Sequence, residues 1–379
     1  MRPKTFVAGM CLLIVAVRLG VVPRPVRAGE QPSAAGYKVL EPIRHGSLMV
    51  FPVVAPKSYP TGEFITLDEG LRSGDVIVTE YGHLNGLIRR PPAPHPNAAV
   101  NQLVLVNDSK RPLLLLAGEI VAGGHQDRVI GKDRIVPAES DPVDLSVFCV
   151  EPGRWTGVSD RFGASGSVYG KGGGIGGGVA PAPSTLMAQP SVRAKAMGDK
   201  DQNQVWAEVK KQQQSMAVEV AADSAPVEAI TSTSSYAVVM ENKDVKEKVD
   251  EVAKPIEQNY QSLIKQLRDR KAVGVVVAVN GRIIWADLFA STELLEKYWP
   301  KLVRSYASEA VVSRAKGGEA TTAQAESFLS DMEGRRETIE NEPGVYRHTE
   351  VNGDGFKAFA LTSLLPKTGF DVHVAKMAE

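Results

Sequence analysis

Glu119, Gln126 and Arg128 lie within one ten-residue span, directly after the apolar run "RPLLLLA", with Gly123 and Gly124 between them. A second apolar run, "SVFCV", also ends in a carboxylate, Glu151, and then turns through Pro152-Gly153 into Arg154 and Trp155. Two strand ends that each carry Glu and Arg can face one polar cleft. There Gln126 and Arg128 would hydrogen-bond a polar or anionic group, the arginine in bidentate fashion. Trp155 would be a stacking platform, and the glycines would let the backbone turn tightly or approach a ligand closely. Glu119 and Glu151 would be the two carboxylates for general acid and base work, tuned by burial and by the neighbouring cations. The same residues also fit a structural network, in which Arg128 satisfies Glu119 and Arg154 pairs with Glu151 around a core Trp155. A secondary set joins Asp287 in "WADLF" to Arg304 and Tyr306 in "VRSYASEA". Its simplest form is an ion pair between a strand-end aspartate and an arginine on the following helix.

Other chemistries lack their signatures. His45, His83, His95, His125, His348 and His373 are scattered without ligand spacing, and there is no cysteine pair, so no metal site is expected. No G-x-S-x-G elbow is present. Gly172, Gly174 and Gly177 match G-x-G-x-x-G only inside a run of glycines, with Pro181 and Pro183 following instead of a helix. No cofactor is therefore expected. Cys149 alternates with Leu145 and Val147 in an apolar strand and reads as a buried, inert thiol.

The chain ends set the compartment. Arg2 and Lys4 precede the apolar "FVAGMCLLIVAV", and "PVRAGE" offers Val26 and Ala28 as the small residues before a cleavage site. Residues 1–28 are thus expected to be a signal peptide and the protein to be exported, periplasmic or extracellular. No second long apolar run follows, so no integral membrane association is expected. The 44 basic and 44 acidic residues balance in the whole chain. Loss of Arg2, Lys4, Arg18, Arg24 and Arg27 with the leader leaves 39 basic against 44 acidic, a net charge of about −5. An acidic chain without a Lys/Arg block argues against nucleic acid as a partner. Cys11 leaves with the leader, so Cys149 has no partner for an internal disulfide and stability must come from packing.

The elements that must position these residues read as α+β. The N-terminal half, 37–156, is β-rich, with short apolar runs at 46–55, 75–81, 101–108, 111–117 and 143–151 bounded by turn residues. Asn107-Asp108-Ser109-Lys110 is expected to join two of them as a hairpin, and 66–74 is a single short helix. Residues 157–200 are rich in Gly, Ser, Ala and Pro and read as a flexible insert. The second half, 201–379, contains helices at 203–219, 243–270 and 292–312, with Pro255 expected to kink one and Pro300 to interrupt another. Asn280-Gly281 suits a type I′ turn in a further β-hairpin at 273–289. The pair of hairpins, 103–116 and 273–289, hints at a duplication. Short strands near 344–351, 356–364 and 370–377 finish the chain.

Taken together, these blocks resemble a known family. "LLLLAGEIVAGGHQDRVI" is similar to its "GEELVGAKQNR" block, and "LSVFCVEPGRW" to its "SCVEQGRW" block. "DQNQVWAEV", "ITSTSSYA" and "VNGRIIWADLFASTELLEKYWPKLVRSYASEA" follow in the same order. The family is the ARG and rhodanese-phosphatase-superfamily-associated protein domain, named for its association with ADP-ribosylglycohydrolase and rhodanese-phosphatase domains. The resemblance places the family's polar positions on Glu119, Gln126, Arg128, Cys149, Glu151, Arg154, Trp155, Asp287, Arg304, Ser305 and Tyr306. It implies ADP-ribose chemistry only by association. This chain departs by reading His-Gln-Asp-Arg where the family motif has Lys-Gln-Asn-Arg, which replaces a cation and adds the anion Asp127.

The expectation is an exported, non-catalytic domain that binds a small polar ligand or a protein partner, with Glu119, Gln126, Arg128, Glu151, Arg154 and Trp155 lining the cleft. The alternative is a hydrolase for a glycosidic or nucleotide-like bond, with Glu119 and Glu151 facing each other as acid and base. A third reading is an interaction module built on strand edges.

Overall fold

The computed structural model describes residues 36–80, 101–153, 159, 161–163, 185–223, 226–267, 270–313 and 318–379. The expected signal peptide, the glycine run, Arg154 and Trp155 lie outside the described residues.

The fold is α+β. The β-rich first half begins with β1 (Lys38–Val39), β2 (Ile43–His45) and β3 (Leu48–Ala55), the last buried at every position. Then β4 (Ile65–Thr66) leads into α1 (Leu67–Ser73). Thr66 and Glu69 form a reciprocal capping box there, and Gly74 ends the helix at φ +79°. β5 (Val76–Thr79), β6 (Gln102–Asn107), β7 (Leu113–Leu115), β8 (Glu119–Gly123), β9 (Arg128–Ile130), β10 (Arg134–Val136) and β11 (Val143–Cys149) follow. Two short strands, β12 (Phe162–Gly163) and β13 (Leu186–Met187), complete this half.

The expected hairpin at 103–116 does not form. β6 pairs with β5 and β11 in a seven-stranded sheet, whereas β7 pairs with β10 and β4 in a separate three-stranded sheet. Asn107 turns the chain between them, donating from Nδ2 to the Arg111 and Pro137 carbonyls at 2.9 Å each. Turn residues set the local bend but not the strand partner. Both apolar runs are buried on both faces, so each finds its neighbours elsewhere. The hinted duplication loses its first member.

The expected flexible insert stops short of residue 200. Beyond β13, α2 (Pro190–Ala194) runs into a π-helical turn (Lys195–Asp199) that Lys200 ends at φ +54°. Val192, Arg193 and Met197 are buried there. α3 (Gln202–Ala222), α4 (Glu228–Thr231), α5 (Tyr236–Glu241) and α6 (Lys243–Gln266) follow. β14 (Lys271–Val279) and β15 (Arg282–Phe289) form the expected hairpin, with Asn280 at φ +50° and Gly281 at φ +73°, as a type I′ turn needs. α7 (Thr292–Val312) is capped by Ser291 and is not interrupted at Pro300. Tyr298, Trp299, Leu302 and Val303 are all buried around the proline, and their packing outweighs one missing backbone bond. α6 likewise continues through Pro255. α8 (Thr322–Ser330) and the strands β16 (Arg335–Glu342), β17 (Tyr346–Gly353), β18 (Phe356–Ser363) and β19 (Asp371–Ala378) close the chain.

The nine-stranded sheet has the order β1-β3-β14-β15-β19-β18-β17-β16, with β2 also on β3. Three N-terminal strands, β1, β2 and β3, thus join a sheet otherwise made by the C-terminal half, with β3 hydrogen-bonded directly to β14. α6 and α7 cover this sheet, and the main core runs from Leu48 and Leu114 through Val249, Val277 and Trp299 to Leu361. The seven-stranded sheet, β12-β8-β9-β11-β6-β5 with β13 also on β8, packs alongside. Among the described residues no helix is long and apolar enough to cross a membrane.

Candidate functional site

The residues from 118 to 134 form β8, its turn, β9 and the link to β10, and their polar side chains do not share one cleft but enter separate networks. Glu119, at the start of β8, turns inward. Its Oε2 accepts the Leu116 N–H at 2.7 Å, and Oε1 takes a hydrogen bond from Lys301 Nζ on α7. Lys301 also donates to Asp68 Oδ2 at 2.8 Å and Thr185 Oγ1 at 3.2 Å. The expected Glu119–Arg128 pair is thus replaced by a lysine shared between two carboxylates. Burial pushes the Glu119 carboxyl up against the pull of Lys301. Burial works to lower Lys301, but Asp68 and Glu119 outweigh it and raise the amine.

Asp133, at the far end of the stretch, joins a second interior network. Its Oδ1 accepts the Ala117 N–H at 2.7 Å, and its Oδ2 meets His373 Nδ1 at 2.5 Å. His373 Nε2 lies 3.2 Å from Asp287 Oδ1. Asp287 in turn takes both guanidinium arms of Arg193, at 2.8 and 2.9 Å, and the Tyr306 hydroxyl. Arg193 Nε donates to the Ala117 carbonyl, and its guanidinium lies 4.4 Å from the Trp285 ring centroid. Gly118, at φ +97°, lets the arginine pass, since a Cβ there would stand 2.6 Å from the Arg193 side chain. All four charged groups are fully buried. The expected Asp287–Arg304 pair does not form. Arg304 faces α6 and binds Asp250 at 3.0 Å and Glu257 at 3.2 Å. Tyr306, two residues on, points inward to Asp287.

Burial alone would lower His373, but Asp133 and Asp287 raise it to about 9, so the imidazolium is charged at neutral pH. A folded-state value above the unfolded one, near 6.5, means stability that is complete below pH 6.5 and lost as the pH rises through about 9. Lys376, pulled down to about 8 by burial, acts in the opposite sense once the pH rises above about 8. The His373 contribution is therefore read as the difference between the wild type and His373→Gln. Urea unfolding at pH 6.5 and 9.5 should show that difference shrinking by roughly 2–3 kcal/mol. A pH-independent difference would mean that His373 is neutral in the fold.

The turn of the hairpin forms the third cluster, and here the structure does bring Gln126, Arg128 and Glu151 together. Gln126 Nε2 donates to the Glu151 carbonyl at 3.0 Å, and the Asp127 N–H donates to Glu151 Oε2 at 3.1 Å. Arg128 Nη1 donates to the Gln126 carbonyl at 2.6 Å, while Nη2 lies 3.7 Å from buried Glu80. Asp127, the departure from the family motif, accepts the Gly123 N–H and the hydroxyl of Ser235, the N-cap of α5. Its role is to tie the turn to that helix. Glu119 and Glu151 stand at opposite ends of the β8–β9 pair, each on its own partners. Cys149 is buried, and burial pushes its thiol up.

Lys132, with Gly131 beside it, faces a cavity. The cavity, of about 290 Å³, lies between the seven-stranded sheet, the π-helical turn and strands β16–β18. Lys132, Ser146, Lys200, Glu340 and His348 provide its polar wall. Phe148, Met197 and Phe359 provide much of the rest. His348 is 1 % exposed, lies parallel to Phe359, and neither of its ring nitrogens has a hydrogen-bond partner. Burial lowers its proton affinity, so it is neutral.

Sequence reasoning missed Asp68, Arg193, Lys301, His348 and His373. Two signals were available: Lys301 set among apolar residues in "YWPKLV" of α7, and a histidine alternating with Val372 and Val374 in β19. Arg193 gave none, lying in what reads as a linker. No match to the chain was found among curated proteins or among solved structures. The family model of the ARG and Rhodanese-Phosphatase-superfamily-associated Protein domain matches residues 36–376, a span that contains all three networks and the cavity, and the chain belongs to this family.

Proposed function

We propose that this protein is an exported, non-catalytic domain that binds a small polar ligand, and that the ligand sits in the cavity beside His348. The observation that carries this reading is the imidazole itself. A buried polar group without a partner costs about 1–3 kcal/mol, and such groups are rare unless something else satisfies them. Apolar walls with a few convergent polar groups are the usual make-up of small-molecule sites. Binding is favoured over hydrolysis because Glu119 and Glu151 are each committed to their own protein partners at opposite ends of the β8–β9 pair.

Saturation-transfer NMR of the purified chain against nucleotides, ADP-ribose, sugars, amino acids and small carboxylates tests this. Ser146 is exposed at the cavity, so Ser146→Trp should plug it without disturbing the core. At least one compound is expected to bind the wild type and to lose binding in the variant at an unchanged melting temperature. Equal binding to both, or none to either, would end the reading. The leader supports export, and intact-mass analysis of protein from a secreting host should give a mature N-terminus at Gly29. An unprocessed Met1 would remove that part of the proposal.

A further inference from the structure

The hydrogen-bonding capacity left over in the cavity is unequal, and the inequality names a ligand class. Lys132 comes from the link between β9 and β10, where Asp133 beside it turns into the interior. Lys200 comes from the left-handed residue that ends the π-helical turn. Each amine has three donors, and each engages one carboxylate: Lys132 binds Glu340, and Lys200 binds Glu350 at 2.7 Å. Glu340 has both oxygens occupied, one by Lys132 and the other by the Tyr346 hydroxyl. The Glu340 carboxylate at the cavity is thus engaged at both oxygens, while each amine keeps N–H donors to spare. Both lysines are partly exposed and stand at the mouth, whereas His348 lies deep. Phe148 and Phe359 come from different sheets and supply apolar surface between these ends.

We propose that the cavity receives a small organic anion, its carboxylate or phosphate held at the mouth by Lys132 and Lys200 and its uncharged polar end hydrogen-bonded to His348. This rests on the cavity being the binding site. The neutral imidazole offers one N–H and one lone pair, which suits a hydroxyl or amide and not a second charge. The ligand anion would share the two amines with Glu340 and Glu350, through the N–H donors that those carboxylates leave open.

Calorimetric titration with matched probes tests it. The carboxylate arm compares 4-hydroxybenzoate with 4-hydroxybenzamide, and the phosphate arm compares phenyl phosphate with benzyl alcohol. Inorganic phosphate serves as a bare anion. In at least one arm the anion should bind the wild type ten-fold or more tightly than its neutral counterpart, and which arm does so identifies the acid group. In Lys132→Gln/Lys200→Gln that ratio should fall to near one. His348→Phe should weaken 4-hydroxybenzoate several-fold and leave its ratio to 4-hydroxybenzamide in place, since both carry the hydroxyl that meets His348. Neutral probes binding as tightly as anions would overturn the anion inference while leaving the cavity reading intact. Bare phosphate binding as well as the organic anions, or anion binding unchanged in Ser146→Trp, would reduce the site to surface lysines and overturn it too. If none of these probes binds but a compound of the wider panel does, this inference alone falls. If nothing binds at all, both fall.

Discussion

Replacing Asp287 with alanine should lower the unfolding free energy by about 3–5 kcal/mol, the usual cost of leaving a buried charge without its partner. Asp287 is fully buried on β15 and is the shared acceptor for Arg193, Tyr306 and His373. Burial would raise its carboxyl, but Arg193 and His373 hold it well below the ordinary carboxylate range. In the alanine variant the Arg193 guanidinium keeps only the Ala117 carbonyl and the face of Trp285. The comparison that isolates the charge term is Arg193→Met/Asp287→Leu, which removes both ions and fills the space. It should be less destabilised than Asp287→Ala, because a buried pair replaced by apolar groups is often neutral whereas a broken pair is not. Urea titrations of the two variants beside the wild type decide the matter. An alanine variant within 1 kcal/mol of wild type would show that water reaches Arg193.

A loss of similar size, about 3–5 kcal/mol near pH 7, is expected for Lys301→Met, and this one should depend on pH. Lys301 stands between Glu119, which is fully buried, and Asp68. Without the amine, Glu119 can remain in the core only by taking a proton. Burial already raises its carboxyl above the usual value, and loss of Lys301 raises it further. A folded-state proton affinity above the unfolded one gives stability that is complete at low pH and lost as the pH rises. Asp68 adds to the trend from the other side. Burial tends to raise it, but Lys301 and Thr185 lower it, so the wild type loses that contribution as the pH falls. The gap between wild type and Lys301→Met should therefore be widest at pH 7–8 and should narrow towards pH 4.5. Lys301→Met/Glu119→Gln should recover much of the loss at pH 7. A gap that does not change with pH would mean that Lys301 acts through its packing on the Tyr298 ring.

These two interior pairs also mark the border between what could be read from the chain and what could not. Features governed by neighbours a few residues apart were legible. The short helix at 66–74, the Asn280-Gly281 turn and the start of α7 at Ser291 are each contained in a handful of residues. So was the burial of Cys149, and so were the family's motif blocks, which are local words in the sequence. The grouping of Gln126, Arg128 and Glu151 was legible for the same reason, since two strand ends in one sheet bring them together. Pro300 shows the limit of a local rule, because helix packing on both sides of it overrode a preference that the proline alone would have set.

Partners far apart in the chain were decided only by the tertiary structure. Lys301 reaches Glu119 across 182 residues, His373 reaches Asp133 across 240, and Arg193 reaches Asp287 across 94. Helix and strand periodicity tells which face a side chain takes, not what lies opposite that face. An ion pair forms with whatever charge the packing leaves within hydrogen-bond reach, and the low dielectric of the core makes that choice exclusive. Glu119 was therefore recognisable as a chemically special carboxylate from its place at the end of a greasy strand. That its cation would be Lys301 and not Arg128 depended on α7 packing against β13, the strand paired with β8, which no spacing within either segment records.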